Sequence, residues 1–167
     1  PSGHSPLLGY AFDGFPIYGP LGYDKSKSQY FSNNDSTIPV KFMRSSYTYN
    51  DKDSNGNPMY DPSIGDLDFS NGIFSKTPEF PQGVYHYICT IKLDSSGNPS
   101  LEEDSSYGFR NVPKKIIKPA YPYVIGAFKG VPELSNFPWA TANGATSNTN
   151  IEKKKFTFNF KSLKSES

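Results

Sequence analysis

Apolar and polar residues along this chain alternate in short runs that suit strands rather than helices. Leu7, Leu8, Tyr10 and Phe12 make a half-buried strand, Asp13-Gly14 is a tight-turn dipeptide, and Phe15, Ile17 and Tyr18 return antiparallel before Gly19-Pro20. Pro16 and Pro20 flank the return arm, which places it at a sheet edge or keeps it very short. A hairpin aromatic on both arms is expected to floor the core. No run carries convincing 3.6-residue apolar spacing, and prolines interrupt most windows that come near it.

Further β-prone runs follow at Gln29–Ser32, Pro39–Met43 and Ser46–Tyr49. From Val84 to Ile91 alternation puts Val84, His86, Ile88 and Thr90 on one face and Tyr85, Tyr87, Cys89 and Ile91 on the other. Both faces are largely apolar, so this strand is expected at the centre of a sheet, with His86 near the core and hydrogen-bonded. Gly97-Asn98-Pro99 lies between Thr90–Leu93 and Leu101–Asp104 and reads as a hairpin tip. Gly108–Val112 and Ile116-Ile117 lead into Tyr121–Phe128, read as one more core strand, where Tyr121-Pro122-Tyr123 raises the question of a cis proline. Residues 131–150, with Trp139, read as a loop. Lys153-Lys154-Lys155 then precedes alternating Phe156, Phe158 and Phe160, a half-buried strand, and a polar tail.

A chain of 167 residues suits one domain, and its 13 Phe, 12 Tyr, 14 Gly and 15 Pro favour strands and turns. The fold class is therefore all-β: an antiparallel, β-sandwich-like single domain with long turn-rich loops. Residues 1–130 form the β domain proper, and 131–167 a loop and C-terminal strand packing on it. A net charge of +1 argues against a nucleic-acid partner, which needs a concentrated basic face. No stretch approaches a membrane span and no signal-peptide pattern is present. The chain begins Pro1-Ser2-Gly3 without an initiator Met and reads as a piece of a longer protein.

Several stretches bear on metal or catalytic chemistry. Asp51–Asn57 matches the first half of a calcium loop, but position twelve is Pro62, and Asn55-Gly56 is equally a hairpin turn pair. In Gly65–Gly72, Asp66 and Asp68 stand at alternate positions and with Asn71 offer hard oxygen ligands; the same residues also suit turn capping. Asn34-Asp35-Ser36 is a glycosylation sequon by pattern. The strand around Cys89 is locally similar to the copper-ligand strand of cupredoxins, yet no histidine follows Cys89, which excludes a blue-copper site. A zinc enzyme needs three protein ligands and an open position. Neither His-Glu-x-x-His nor Gly-x-Ser-x-Gly occurs, and His86 and Cys89 alternate to opposite faces.

Three blocks together carry a resemblance. Gly3–Pro20, Gly65–Asp68 with Asn71-Gly72 and Thr77–Tyr87, and Tyr121–Gly126 resemble, in order, the hallmark segments of the YHYH domain family. Ile88 follows Tyr85-His86-Tyr87 where the fourth letter of the motif would be histidine, and Phe69 stands where the family carries an acid. Members occur in secreted bacterial and algal proteins and in structural proteins of cyanobacterial phages. The resemblance thus implies an extracellular or virion setting.

The expected function is a non-enzymatic structural or binding module of a virion appendage or secreted surface protein. Its partners would be other subunits of that assembly and a cell-surface glycan, with His4, Asp13, Tyr18, Tyr85 and His86 as candidate binding residues. The alternative is a metal-dependent hydrolase or structural metal-binding domain using His4, Asp13, Asp66, Asp68 and His86. Its cofactor would be a divalent ion, calcium or zinc, with Asp66, Asp68 and Asn71 as candidate ligands.

Overall fold

Gly or Pro interrupts nearly every apolar run, so the strands are short. The computed structural model describes residues 3–31, 38–104 and 114–132. Among them lie ten strands: β1 Leu7–Tyr10, β2 Pro16–Tyr18, β3 Leu21–Tyr23, β4 Val40–Phe42, β5 Tyr47–Lys52, β6 Pro58–Tyr60, β7 Gly72–Ser75, β8 Val84–Ile88, β9 Leu101–Asp104 and β10 Lys114–Ile117. No α-helix occurs among the described residues, and no helix there is long and apolar enough to cross a membrane. The all-β expectation holds.

The principal sheet has the order β1-β2-β8-β7, and β3–β4, β5–β6 and β9–β10 form two-stranded ribbons. Pairing is antiparallel except between β2 and β8, where Ile17 lies opposite Tyr87 and Tyr18 opposite Ile88 in parallel register. As alternation predicts, β8 is internal, between β2 and β7.

The first hairpin has the expected turn and a return strand as short as expected, but its first arm is half exposed. Its turn forms at Asp13-Gly14, with Gly14 at φ 85°. The return strand β2 is three residues long but internal, while β1 is the edge and leaves Leu8 and Tyr10 exposed. The β2 arm floors the core, where Tyr18 is fully buried and packs with Met43, Leu67 and Ile88, while β1 adds the partly buried Leu7. Complete burial of a side chain such as Ile88 stabilises by roughly 1.5–3 kcal/mol. A second cluster joins Tyr23, Tyr30 and Ile38.

Local polar chemistry decides the remaining differences. Gln29–Ser32, expected as a strand, gives way to a 3-10 turn over Ser28–Phe31, begun by the Tyr30 N–H donating to Lys27 O at 3.0 Å. Tyr121–Val124, expected to open a strand, is a turn closed by the Tyr123 N–H on Ala120 O at 2.7 Å, with a cis bond at Tyr121-Pro122 and φ 76° at Tyr123. Asp51–Asn57 is a hairpin tip: Asp53 Oδ1 accepts the N–H groups of Asn55 and Asn57, each at 2.9 Å. Asp94 does the same for Ser96 and Asn98, which forms the second expected turn. In the β9–β10 ribbon Lys115 lies opposite Glu103, an opposite-charge pair across the strands. The sequon at Asn34, the Gly108–Val112 run, Trp139, the Phe156–Phe160 strand and nearly all of the 131–167 segment lie outside the described residues.

Candidate functional site

Strand β8 separates two different environments, one on each face of the sheet. Its register sends His86 to the face of Tyr18, and sends Tyr85 and Tyr87 to the face of Phe74 and the Asp13 turn.

On the first face His86 is fully buried and stands next to His4. Ser5 fixes the chain beside His4: its N–H donates to Leu21 O at 2.9 Å, and its Oγ accepts from the Leu21 N–H at 2.9 Å. Gly19 makes room for this, since a Cβ there would lie 2.8 Å from Ser5 Oγ. The rings of His4, Tyr18 and His86 then form a triangle, with centroids 5.0 Å (His4–Tyr18), 5.1 Å (Tyr18–His86) and 6.2 Å (His4–His86) apart; Tyr23 lies 4.8 Å from His4. His4 Nδ1 meets Ser5 O at 2.7 Å and His86 Nδ1 meets Val84 O at 3.0 Å. A carbonyl only accepts, so both Nδ1 atoms carry the proton and both Nε2 atoms present a bare lone pair. Both Nε2 atoms are enclosed and have no hydrogen-bond partner among the described residues. Burial holds the rings neutral: it lowers His4 below its ordinary range and pushes His86 down to about 4. The Tyr18 hydroxyl donates within reach of Glu79 Oε2 (2.7 Å) and Thr77 Oγ1 (2.9 Å), which fixes the wall of this cage.

On the second face tyrosines meet carboxylates. Tyr87 Oη donates to Asp13 Oδ2 and accepts the Lys129 N–H at 2.7 Å; the Gly130 N–H also reaches Asp13 Oδ2, at 3.0 Å. Tyr85 Oη donates to Asp68, 3.0 and 3.1 Å from its two oxygens, and Lys129 Nζ pairs with Asp68 Oδ2 at 3.2 Å while lying 5.3 Å from the Tyr85 ring centre. Burial above all, with the neighbouring carboxylates adding to it, pushes both phenols well above their ordinary range, so they act as donors at any physiological pH.

Above this network runs an open groove of about 480 Å³, lined by Phe15, Asp66, Asp68, Gly72, Ile73, Phe74, Tyr85 and Lys129. Phe15 meets Tyr85 edge-on at 4.9 Å, and Phe74 is 60% exposed, unusual for an aromatic ring in a strand of the principal sheet. A smaller groove of about 250 Å³ lies by Tyr47 and Tyr121.

The candidate residues therefore divide into groups. His4, Tyr18 and His86 converge in the cage. Tyr85, Asp66 and Asp68 converge at the groove, while Asp13 sits behind it as the anchor of Tyr87. Asp66 accepts from Lys41 Nζ at 2.6 Å and from the Arg44 N–H at 2.8 Å. Asp68 caps its turn through the Ser70 and Gly72 N–H groups. Asn71 is not beside them: it is fully buried, and its Nδ2 donates to Ile88 O at 2.8 Å and Val124 O at 3.1 Å. Among the described residues no three His, Cys, Asp or Glu side chains form a metal-binding group. Sequence reasoning passed over Phe15, Phe74, Glu79 and Lys129 as site residues. The register Phe74–Tyr85 is a periodicity signal that points to Phe74, whereas nothing local marks Lys129, 61 residues from Asp68.

No curated protein and no solved structure matches this chain. The family model described as YHYH protein matches residues 1–99, more than half of the 167 residues, and the chain belongs to that family.

Proposed function

We propose that this domain is a non-enzymatic binding module whose ligand is a glycan, held in the groove over Phe15, Phe74 and Tyr85. The observation that carries this reading is an exposed aromatic ring, Phe74, set on strand β7 beside carboxylates and a lysine. Sugars have an apolar C–H face and a rim of hydroxyls. The face stacks on an aromatic ring, and the hydroxyls exchange hydrogen bonds with carboxylate and ammonium groups. Asp66, Asp68 and Lys129 already bond to protein partners, so their positions are fixed before the ligand arrives, which limits the ordering cost of binding. A virion appendage or secreted surface protein is the setting in which such a module serves attachment, with other subunits of the assembly as further partners.

The test is a glycan array probed with the wild-type domain and with Phe74→Ala. Binding to a restricted set of glycans by the wild type, lost in Phe74→Ala at unchanged melting temperature, supports the reading. A blank array, or binding that survives the substitution, overturns it.

A further inference from the structure

The cage on the opposite face of β8 is not needed for glycan binding, and its chemistry is of another kind. His4 and His86 have fixed tautomers, each with Nδ1–H donating to a backbone carbonyl, and each leaves an enclosed Nε2 lone pair without a donor among the described residues. Two acceptors cannot satisfy one another. A water donating both its O–H bonds or an electron-pair acceptor between them satisfies both together, and an imidazole fixed by an Nδ1–H to carbonyl bond is how proteins hold a metal-ligating histidine.

We propose that His4 and His86 bind one monovalent copper ion between their Nε2 atoms. The spacing fits. An imidazole nitrogen lies ~1.1 Å from its ring centre and bonds a metal at ~2.0 Å, so two rings that share an ion in near-linear fashion, each with its Nε2 turned toward the other ring, have centres ~6.2 Å apart. The observed separation is 6.2 Å, and the 64° between the ring planes is accommodated because rotation about the nitrogen–metal–nitrogen axis is unrestricted. Zinc and calcium are poorer fits: zinc prefers four ligands and calcium six or more oxygens, and the described residues supply two nitrogens in an aromatic surround of Tyr18 and Tyr23. A singly charged d10 ion accepts two-coordinate nitrogen ligation and loses less hydration energy on burial than a divalent ion. The carboxylate of Glu79, held by Tyr18 at 2.7 Å, supplies the compensating negative charge nearby.

The experiment is an anaerobic competition against the chromophoric complex of monovalent copper with bicinchoninate. It uses the wild type, His4→Phe and His4→Met, with melting temperature recorded for each. His4 is the site of choice because it is less buried than His86 and phenylalanine keeps the ring packing. One copper per wild-type chain, loss of that uptake in a folded His4→Phe, and its return in His4→Met, whose thioether is a soft donor, support the site. A wild type that leaves the chromophore intact, a His4→Phe variant that takes up copper equally, or stoichiometric zinc uptake in preference to copper each overturns it.

Discussion

The hydroxyl of Tyr87 donates to the carboxylate of Asp13, joining the central strand to the first hairpin turn across 74 residues of sequence. The same hydroxyl accepts the Lys129 N–H, so one phenol ties together three distant parts of the chain. Tyr87→Phe leaves the aromatic ring and removes the bonds. Asp13 then keeps only the Gly130 N–H of its two partners at Oδ2. The expected loss is about 1–3 kcal/mol in urea unfolding, the cost of leaving a partly buried acceptor short of a donor. An unchanged midpoint would show that the bond contributes nothing.

Asn71 combines an unfavourable backbone with a favourable side chain. Its φ is 64°, which asparagine tolerates better than most residues, and its fully buried amide donates to Ile88 O and Val124 O. Asn71→Gly relieves the backbone but deletes the bonds; Asn71→Ala deletes the bonds and strains the backbone as well. Both are expected to destabilise, alanine more than glycine by about 1 kcal/mol. Equal midpoints in thermal unfolding would contradict this.

Gly72 and Gly9 form a matched pair of tests on the same sheet. A Cβ at Gly72 would fall 2.8 Å from His86 O and closer still to the Tyr85 hydroxyl, whereas one at Gly9 meets nothing within 4 Å. Gly72→Ala is therefore expected to cost about 1–3 kcal/mol through overpacking. It also displaces Tyr85 from Asp68 and so weakens ligand binding at the groove. Gly9→Ala is expected to stay within about 0.5 kcal/mol of the wild type. Denaturant midpoints of the two variants decide the matter.

Stability of the metal-free protein is expected to depend on pH through the histidines. His86 is held down to about 4 by its burial, against 6.5 in the unfolded chain. Between those values the unfolded state binds more protons, so stability is fully present above about pH 6.5 and falls as pH drops toward 4. The full contribution is on the order of 3 kcal/mol, and His4, lowered for the same reason, adds in the same direction. Asp24 acts further down the scale: against the effect of its burial, hydrogen bonds from Ser26 keep it below its ordinary range, so its contribution is lost only in stronger acid. Urea midpoints at pH 7 and pH 5 are expected to differ in the wild type and to differ by less in His86→Leu, where the contribution of His4 alone remains. A wild-type midpoint flat across this interval would contradict the account.

How much of this was legible in the sequence depends on the range of the interactions. The two-residue alternation from Val84 to Ile88 placed His86 and the tyrosines on opposite faces, because a strand's periodicity is local and β8 is central. The Asp13-Gly14, Asn55-Gly56 and Gly97 turns were legible for the same reason: a glycine at positive φ is written in the residue itself. Tyr121–Val124 was not, since its turn is fixed by bonds to Thr90 and Ala120 that apolar patterning does not encode. Likewise, Asp66, Asp68 and Asn71 look alike in sequence, yet Lys41 and Tyr85 hold the two acids at the groove while Asn71 turns into the core. Those partners come from other strands. The meeting of His4 with His86 depends on the parallel pairing of β2 with β8, a crossover no local motif announces.

The most direct measurement on the proposed function is an aromatic proton–carbon NMR titration of the isotopically labelled domain with the glycan selected on the array. Resonances of Phe15, Phe74 and Tyr85 are expected to shift together and saturably, while those of His4 and His86 on the opposite face stay in place. Saturable shifts at Tyr47 and Tyr121 with the Phe74 signals unmoved would put the ligand in the other groove and contradict the assignment.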